Sequence, residues 1–335
     1  SAHITTNTNN RMLTLSYIFS SMTSTSQTLT NITVQSPGLA ERVMISTLTT
    51  LPTCVFLFIN GIMLFTLRSK PVFRETCRYI LLYNLLFADT VQLAQSQIHF
   101  LLAVLRITVS YPVCTFLVNF THLTSVISPL TLVVMPLERY VAVCYPLRHA
   151  TIITIRNTGA AITVIWAISF LNIIIRTLLF LSLFEELGDL EVKGFCGDIA
   201  ILLGTKSDRF DKAFTCIVVV AAGVAVIFSY IGVIVAARSA STDKALAFKA
   251  RNTLLLNLMQ LFLSLSSTIY YPLLVPLLMI VTRIVLVRIQ NVFYLLFIIV
   301  PRCLTSLIYG LRDQTIRPVL IYHLCCRLKC PKRSQ

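Results

Sequence analysis

The chain has 335 residues, 56% of them hydrophobic and only 12% charged, with a mean hydropathy of +0.82. That charged share is about half the usual one for globular proteins, which excludes disorder, a coiled coil and nearly every soluble fold and leaves a polytopic membrane protein. The net charge is +15, from 28 Lys and Arg against 13 Asp and Glu, and the membrane accounts for it better than nucleic acid does, because basic residues gather on cytoplasmic loops.

Residues 1–42 are rich in Ser, Thr and Asn, hold no apolar run long enough for a signal peptide, and are expected to form a disordered extracellular tail. The chain opens on Ser1, with Met12 or Met22 the expected start of translation. Within the tail, Asn31-Ile32-Thr33 is a glycosylation acceptor. Seven apolar stretches follow, at 43–67, 79–104, 112–138, 157–180, 213–237, 253–281 and 290–310. A bilayer core about 30 Å thick needs about 20 such residues. Backbone groups in hydrocarbon must bond internally, so each stretch is expected to be a helix. The expectation is an all-α bundle of seven transmembrane helices over 43–310, then a cytoplasmic tail, 311–335, with a short amphipathic juxtamembrane segment. Pro129, Pro136, Pro272 and Pro301 fall inside spans, where kinks are tolerated if neighbouring groups satisfy the freed carbonyls.

Orientation follows from the basic residues. With the N-terminus outside, the inner segments carry seventeen Lys and Arg and the outer ones nine, while Arg176 and Arg302 lie within spans. The bias places the N-terminus outside and the C-terminus in the cytoplasm. The loop after the fourth span is acidic, with Glu185, Glu186, Asp189, Glu191, Asp198, Asp208 and Asp211. The sequon at Asn119 lies inside a span and is discounted. Ten cysteines are present without a CxxC pair, so no metal site is expected.

The third span ends in Glu138-Arg139-Tyr140, followed by Val141 to His149. Cys114 precedes Arg139 by 25 residues, about 37 Å of helix, so the two mark opposite ends of one span. Cys196 lies in the acidic outer loop. Two cysteines on the oxidising side can close a disulfide or stay free.

The chain here resembles the rhodopsin-like G-protein-coupled receptors, over residues 43 to about 325. Asn60 matches the first-helix Asn of that family, and Leu85-Leu86-Phe87-Ala88-Asp89 the pattern around its second-helix Asp. Glu138-Arg139-Tyr140 matches the Asp/Glu-Arg-Tyr motif, and Trp166, the only Trp, the fourth-helix Trp. The resemblance implies that Cys114 pairs with Cys196. Within the family the chain looks like an odorant receptor. Residues Glu138–Leu147, Ser229-Tyr230, Tyr270-Tyr271-Pro272 and Leu307–Arg312 resemble odorant-receptor signatures. The variant Val143–Ala150 resembles that of a divergent group of fish odorant receptors. The chain departs from the pattern where Thr305-Ser306 replace the seventh-helix Asn-Pro, where Pro136 stands one turn before Arg139, and in lacking the usual extra loop cysteines.

The resemblance implies a plasma-membrane receptor, in sensory cilia if it detects odorants. It would bind a small organic odorant in the outer half and activate a heterotrimeric G protein of the stimulatory, olfactory type. It implies no enzyme activity and no cofactor. Arg139 would be the switch, held by Glu138 at rest; Tyr140, Tyr230 and Tyr309 would serve the inner bundle, and Pro146 and Leu147 the G protein. Ligand candidates are Thr121, His122, Ser125, Phe214, Val218, Leu273, Leu274 and Leu277, an apolar set with a few hydroxyls. Thr121 stands where amine receptors carry an acid, which disfavours a biogenic amine. His99 and Arg176 near the outer face would favour acids.

Ionisable groups inside a membrane are functional hypotheses by default. Asp89 is expected to face Arg302, which would replace the sodium ion that family members often hold there, with Ser128 and Asn60 adding hydrogen bonds. Otherwise Arg302 snorkels or faces a wet cavity. Cys325, Cys326 and Cys330 stand among basic residues and are candidate palmitoylation sites. The alternatives are a rhodopsin-like receptor for another small ligand or, from a different class, a transporter or channel; no inverted repeat supports the latter.

Overall fold

The computed structural model describes residues 39–105, 107, 109–145, 147–187, 205–239, 255, 258–259, 262–266, 283–313 and 315–329. The long helices are α1 (Leu39–Ser69), α2 (Cys77–Val104), α3 (Tyr111–Cys144), α4 (Ile155–Leu187) and α5 (Thr205–Ser239). They are followed by α6 (Arg283–Phe293), α7 (Val300–Arg312) and α8 (Ile316–Lys329). Short helices at Pro71–Glu75 and His149–Ile152 lead into α2 and α4. No strand occurs among the described residues.

Six of the seven expected spans are represented by these helices. Most outrun the apolar stretch: α3 continues to Cys144, past the expected end at 138, and α5 begins at Thr205, before 213. The sixth span, 253–281, lies mostly outside the described residues; within it, 262–266 are helical. The seventh span is built from α6, a π-helical turn at Tyr294–Ile299, and α7. In that turn the Val300 N–H bonds Leu295 O, five residues back. Pro301 supplies the local cause, since it has no N–H for the carbonyl of Phe297 and the ladder widens just before it. In contrast, α3 stays helical through Pro129 and Pro136.

Five helices among the described residues are long and apolar enough to cross a membrane: Val43–Ser69, Val113–Cys144, Ile155–Leu179, Lys212–Val235 and Arg288–Gly310. α2 is not one of them, because Asn84, Asp89, Gln92, Gln95, Gln97 and His99 lower its hydropathy. Those residues, His99 apart, are buried, so the helix turns its polar side inward.

α5 shows how the bundle meets lipid. Ile217, Val220, Val224, Ile227, Ile231 and Val235 recur every three or four residues and stay exposed, Ile217 at 67%. Val218, Ala222, Val226, Ser229 and Val233 form the opposite, buried face. An exposed apolar stripe this long would be an aggregation site in water; in a bilayer it is the lipid face.

α3 is the central post, packed against α2, α4 and α5. The main apolar core lies toward one end, where Met63, Leu67, Leu82, Leu86, Leu132 and Met135 meet Tyr309 and, from α8, Ile316 and Leu320. Polar side chains cross the helix seams. Trp166 Nε1 donates to Asn84 Oδ1 at 3.0 Å, and Asn84 Nδ2 donates to Thr131 Oγ1 at 2.9 Å, tying α4 to α2 and α2 to α3. Gln97 Nε2 donates to Thr50 Oγ1 of α1 at 2.6 Å. Lipid offers no hydrophobic drive between helices, so such bonds and close packing hold a membrane bundle together.

Candidate functional site

The C-terminal end of α3 collects the residues that the sequence singled out as a switch. Glu138 is buried, and its Oε2 lies 3.4 Å from Arg139 Nε. Its other oxygen lies 3.8 Å from His149 Nε2, on the short helix that follows. Arg139 Nη2 is buried with no partner among the described residues. Tyr309, on α7, is buried and donates its hydroxyl toward Met135 Sδ on α3 at 3.8 Å. Tyr140 points the other way, to α5, with its ring 5.1 Å from that of Phe228 and 6.0 Å from that of Tyr145. Gly232 makes room for it. Tyr230 is half-buried on α5, and its neighbour Ser229 bonds back to Ala225 O at 2.7 Å. Leu147 is 97% exposed just beyond α3. Pro146 lies outside the described residues.

At this same end α8 is anchored by a clasp that the sequence reading did not single out. Arg78 Nη2 lies 3.3 Å from Asp313 Oδ2, and the Tyr79 hydroxyl donates to Asp313 Oδ1 at 3.3 Å. The same Oδ1 accepts the backbone N–H groups of Thr315 and Ile316, so one carboxylate caps α8 and ties it to α2. The signal was an Asp three residues before Ile316, a helix-start pattern.

In mid-membrane, Ser128 Oγ donates to Asp89 Oδ1 at 2.6 Å, as expected. The Thr305 hydroxyl also lies against this carboxylate. Arg302 is buried on α7 close enough for its charge to act on Asp89. The expected direct pair is not formed: no guanidinium nitrogen reaches ion-pair distance, and Arg302 Nη1 donates instead to Ile298 O at 2.8 Å, in the π turn. Its Nε has no partner among the described residues, nor do Asn60 Nδ2 and Oδ1. Arg302 is thereby held to its own helix, by the carbonyl one turn back.

The described ligand candidates lie on the N-terminal halves of α3 and α5. Thr121 and Ser125 bond back to their own helix, through Leu117 O at 3.0 Å and His122 O at 2.9 Å. His122 Nε2 stands 3.2 Å from Arg176 Nη1, whose Nε donates to Asn172 Oδ1 at 3.2 Å. Arg176 is thus engaged on the α3–α4 seam. Val218 lies on the buried face of α5, and Phe214 stacks on Phe210 at 6.1 Å. Leu273, Leu274 and Leu277 lie outside the described residues. So do Asn31, Cys196 and Cys330, and the side chains of Cys325 and Cys326 in α8 are not described. Cys114 is disulfide-bonded.

One polar group was missed. Gln92, Gln95 and Ser96 are buried on α2, and Gln95 Oε1 accepts from Thr124 Oγ1 of α3 at 3.0 Å. Three glutamines within six residues of one apolar span were visible in the sequence. Their uncharged side chains did not stand out beside Asp89.

Known proteins agree with this arrangement. Residues 59–309 match the family described as 7 transmembrane receptor (rhodopsin family). Odorant receptor 131-2 of Danio rerio is 30% identical over 292 residues, covering 84% of this chain and 86% of that protein. Olfactory receptor 11H4 of Homo sapiens is 30% identical over 34% of this chain and 35% of its own length. Olfactory receptor 1073 of Rattus norvegicus is 27% identical over 53% and 60%. The family match runs from α1 into α7, and the Danio rerio relative is matched over most of both chains: the chain is a multi-pass membrane protein of the rhodopsin family of seven-transmembrane receptors, in its odorant-receptor branch.

Proposed function

We propose that this receptor binds a small organic odorant between its outer helix halves and activates a heterotrimeric G protein through Glu138, Arg139 and Tyr140. The observation that carries this is the buried Glu138 carboxylate holding Arg139 at 3.4 Å beside an exposed Leu147. Such a pair restrains a charge that, once released, has a cytoplasmic surface to meet. Ligand binding that favours a state with Arg139 freed shifts the population toward coupling by its differential affinity alone. Tyr309 would then leave Met135 and meet Tyr230 across the inner bundle. Thr121, His122, Ser125, Phe214 and Val218 are the proposed ligand wall, with Leu273, Leu274 and Leu277 facing them.

The same reading places the N-terminus outside with Asn31 glycosylated, pairs Cys114 with Cys196, and puts α8 at the inner leaflet with Cys325, Cys326 and Cys330 acylated. The site of action is the plasma membrane, in the cilia of sensory neurons. Asp89 and Arg302 act as separated, mutually compensating charges, with Ser128 and Asn60 beside the acid. The test is cAMP in cells co-expressing the receptor and an olfactory-type stimulatory G protein, challenged with an odorant mixture that includes amino acids and carboxylic acids. A response lost in Arg139→Ala at equal surface delivery is expected. A response that survives Arg139→Ala overturns the switch assignment.

A further inference from the structure

The second helix carries more hydrogen-bonding capacity into the bundle than its packing uses. At 100° per residue, Asp89, Gln92, Gln95, Ser96 and His99 fall within an arc of about 120°, and they span about 15 Å of helix. The structure turns this arc inward: Gln92, Gln95 and Ser96 are 4%, 5% and 8% exposed. Both ends of the arc touch α3, through Asp89 to Ser128 and through Gln95 to Thr124. Yet Gln92 Oε1 and Gln95 Nε2 have no partner among the described residues. Buried polar atoms left in this state destabilise a fold. A helix that only spans and packs would carry leucine at both positions.

The two orphan atoms are chemically complementary, one acceptor and one donor, on side chains three residues apart on the same arc. Exchanging the oxygen and nitrogen of both side-chain amides together leaves the same need, one donor and one acceptor. A ligand that satisfies both must bring one donor and one acceptor close together. A carboxylate or a ketone brings acceptors and no donor, so neither can meet Gln92 Oε1. The group that fits is another carboxamide.

We propose that this arc of α2 is a ligand subsite for neutral molecules carrying a carboxamide-type group, held by Gln92 and Gln95. The apolar remainder of the ligand lies toward Ser125 and Val218. The inference rests on the receptor reading above and specifies what that receptor detects.

The test uses the full-length receptor purified in lipid nanodiscs and reads binding by thermal unfolding, independently of any G protein. Three probes of equal length differ only in the head group: hexanamide, hexanoate and 2-heptanone. At about 10 mM, above the roughly millimolar Kd of a weak small ligand, hexanamide is expected to raise the melting temperature by about 2–4 °C. Hexanoate and 2-heptanone are expected to leave it unchanged. Gln92→Leu and Gln95→Leu should melt no lower than wild type without probe and should weaken hexanamide about tenfold each, the loss of one hydrogen bond. No hexanamide shift in the wild-type protein overturns the proposal, whatever the variants do. An equal shift from 2-heptanone or hexanoate overturns it, as does a shift retained in the two variants. If hexanamide binds as expected but no G protein responds through Arg139, the subsite stands and the signalling reading falls.

Discussion

At Gly232, α5 packs closely against Tyr140 near the C-terminal end of α3. A methyl group there would lie 2.1 Å from Tyr140 Cε2 and 2.5 Å from Cδ2. The ring cannot swing freely, being packed on Phe228 at 5.1 Å and edge-on to Tyr145 at 6.0 Å. It would have to withdraw by about 1.3 Å to regain ordinary contact, and overpacking of this kind costs about 1–3 kcal/mol. Alanine's better helix propensity offsets up to about 1 kcal/mol. Gly232→Ala is therefore expected to destabilise the protein by about 1–2 kcal/mol, read as a fall of several degrees in melting temperature. The decisive assay is the double-mutant cycle with Tyr140→Ala. Once the ring is gone the steric term vanishes and only the propensity remains, so Gly232→Ala should become stabilising in that background. Gly223, with nothing within 4 Å of a Cβ, serves as the control and should tolerate alanine. The same destabilisation with and without the Tyr140 ring would refute the reasoning.

Three further outcomes follow from the described contacts. Trp166→Phe strands the Asn84 carbonyl between α2 and α4 and should lower stability by about 0.6–1.7 kcal/mol, the range for interhelical hydrogen bonds in membranes, as measured by thermal unfolding. Asp313→Ala removes the Arg78 pair, the Tyr79 bond and the cap of α8 together; amide exchange in Ile316–Leu320 should rise while the centre of α3 stays protected. Asp89→Asn and Arg302→Gln should each destabilise, and the double variant should destabilise by less than their sum, because each single change leaves a buried charge uncompensated; additive effects would show that the separation of the two groups removes any coupling.

The bundle was legible because hydrocarbon leaves so few options: long apolar stretches must be helices, and their number and the positions of Asn60, Asp89, Arg139 and Trp166 sufficed to place them. Helix ends were less so, since α3 and α5 run beyond the apolar segment, where no hydropathy signal marks the stop. The local switch pair was readable because Glu138 and Arg139 are adjacent. The Asp89–Arg302 geometry was not, because spacing along the chain does not say whether a long side chain reaches across the bundle or, as Arg302 does, bonds a carbonyl of its own helix. Asp313 and the α2 glutamines act through partners distant in sequence, at Arg78 and Thr124, which spacing along the chain does not reveal.

The central claim is that Glu138 restrains Arg139 until a ligand releases it. Its most direct test is nucleotide exchange on a purified stimulatory G protein by the receptor in nanodiscs, comparing wild type, Glu138→Gln and Arg139→Ala at matched folding. Glu138→Gln removes the restraint and should raise exchange in the absence of ligand, while Arg139→Ala should abolish exchange under all conditions. Exchange that is unchanged in Glu138→Gln, or that persists in Arg139→Ala, would contradict the account.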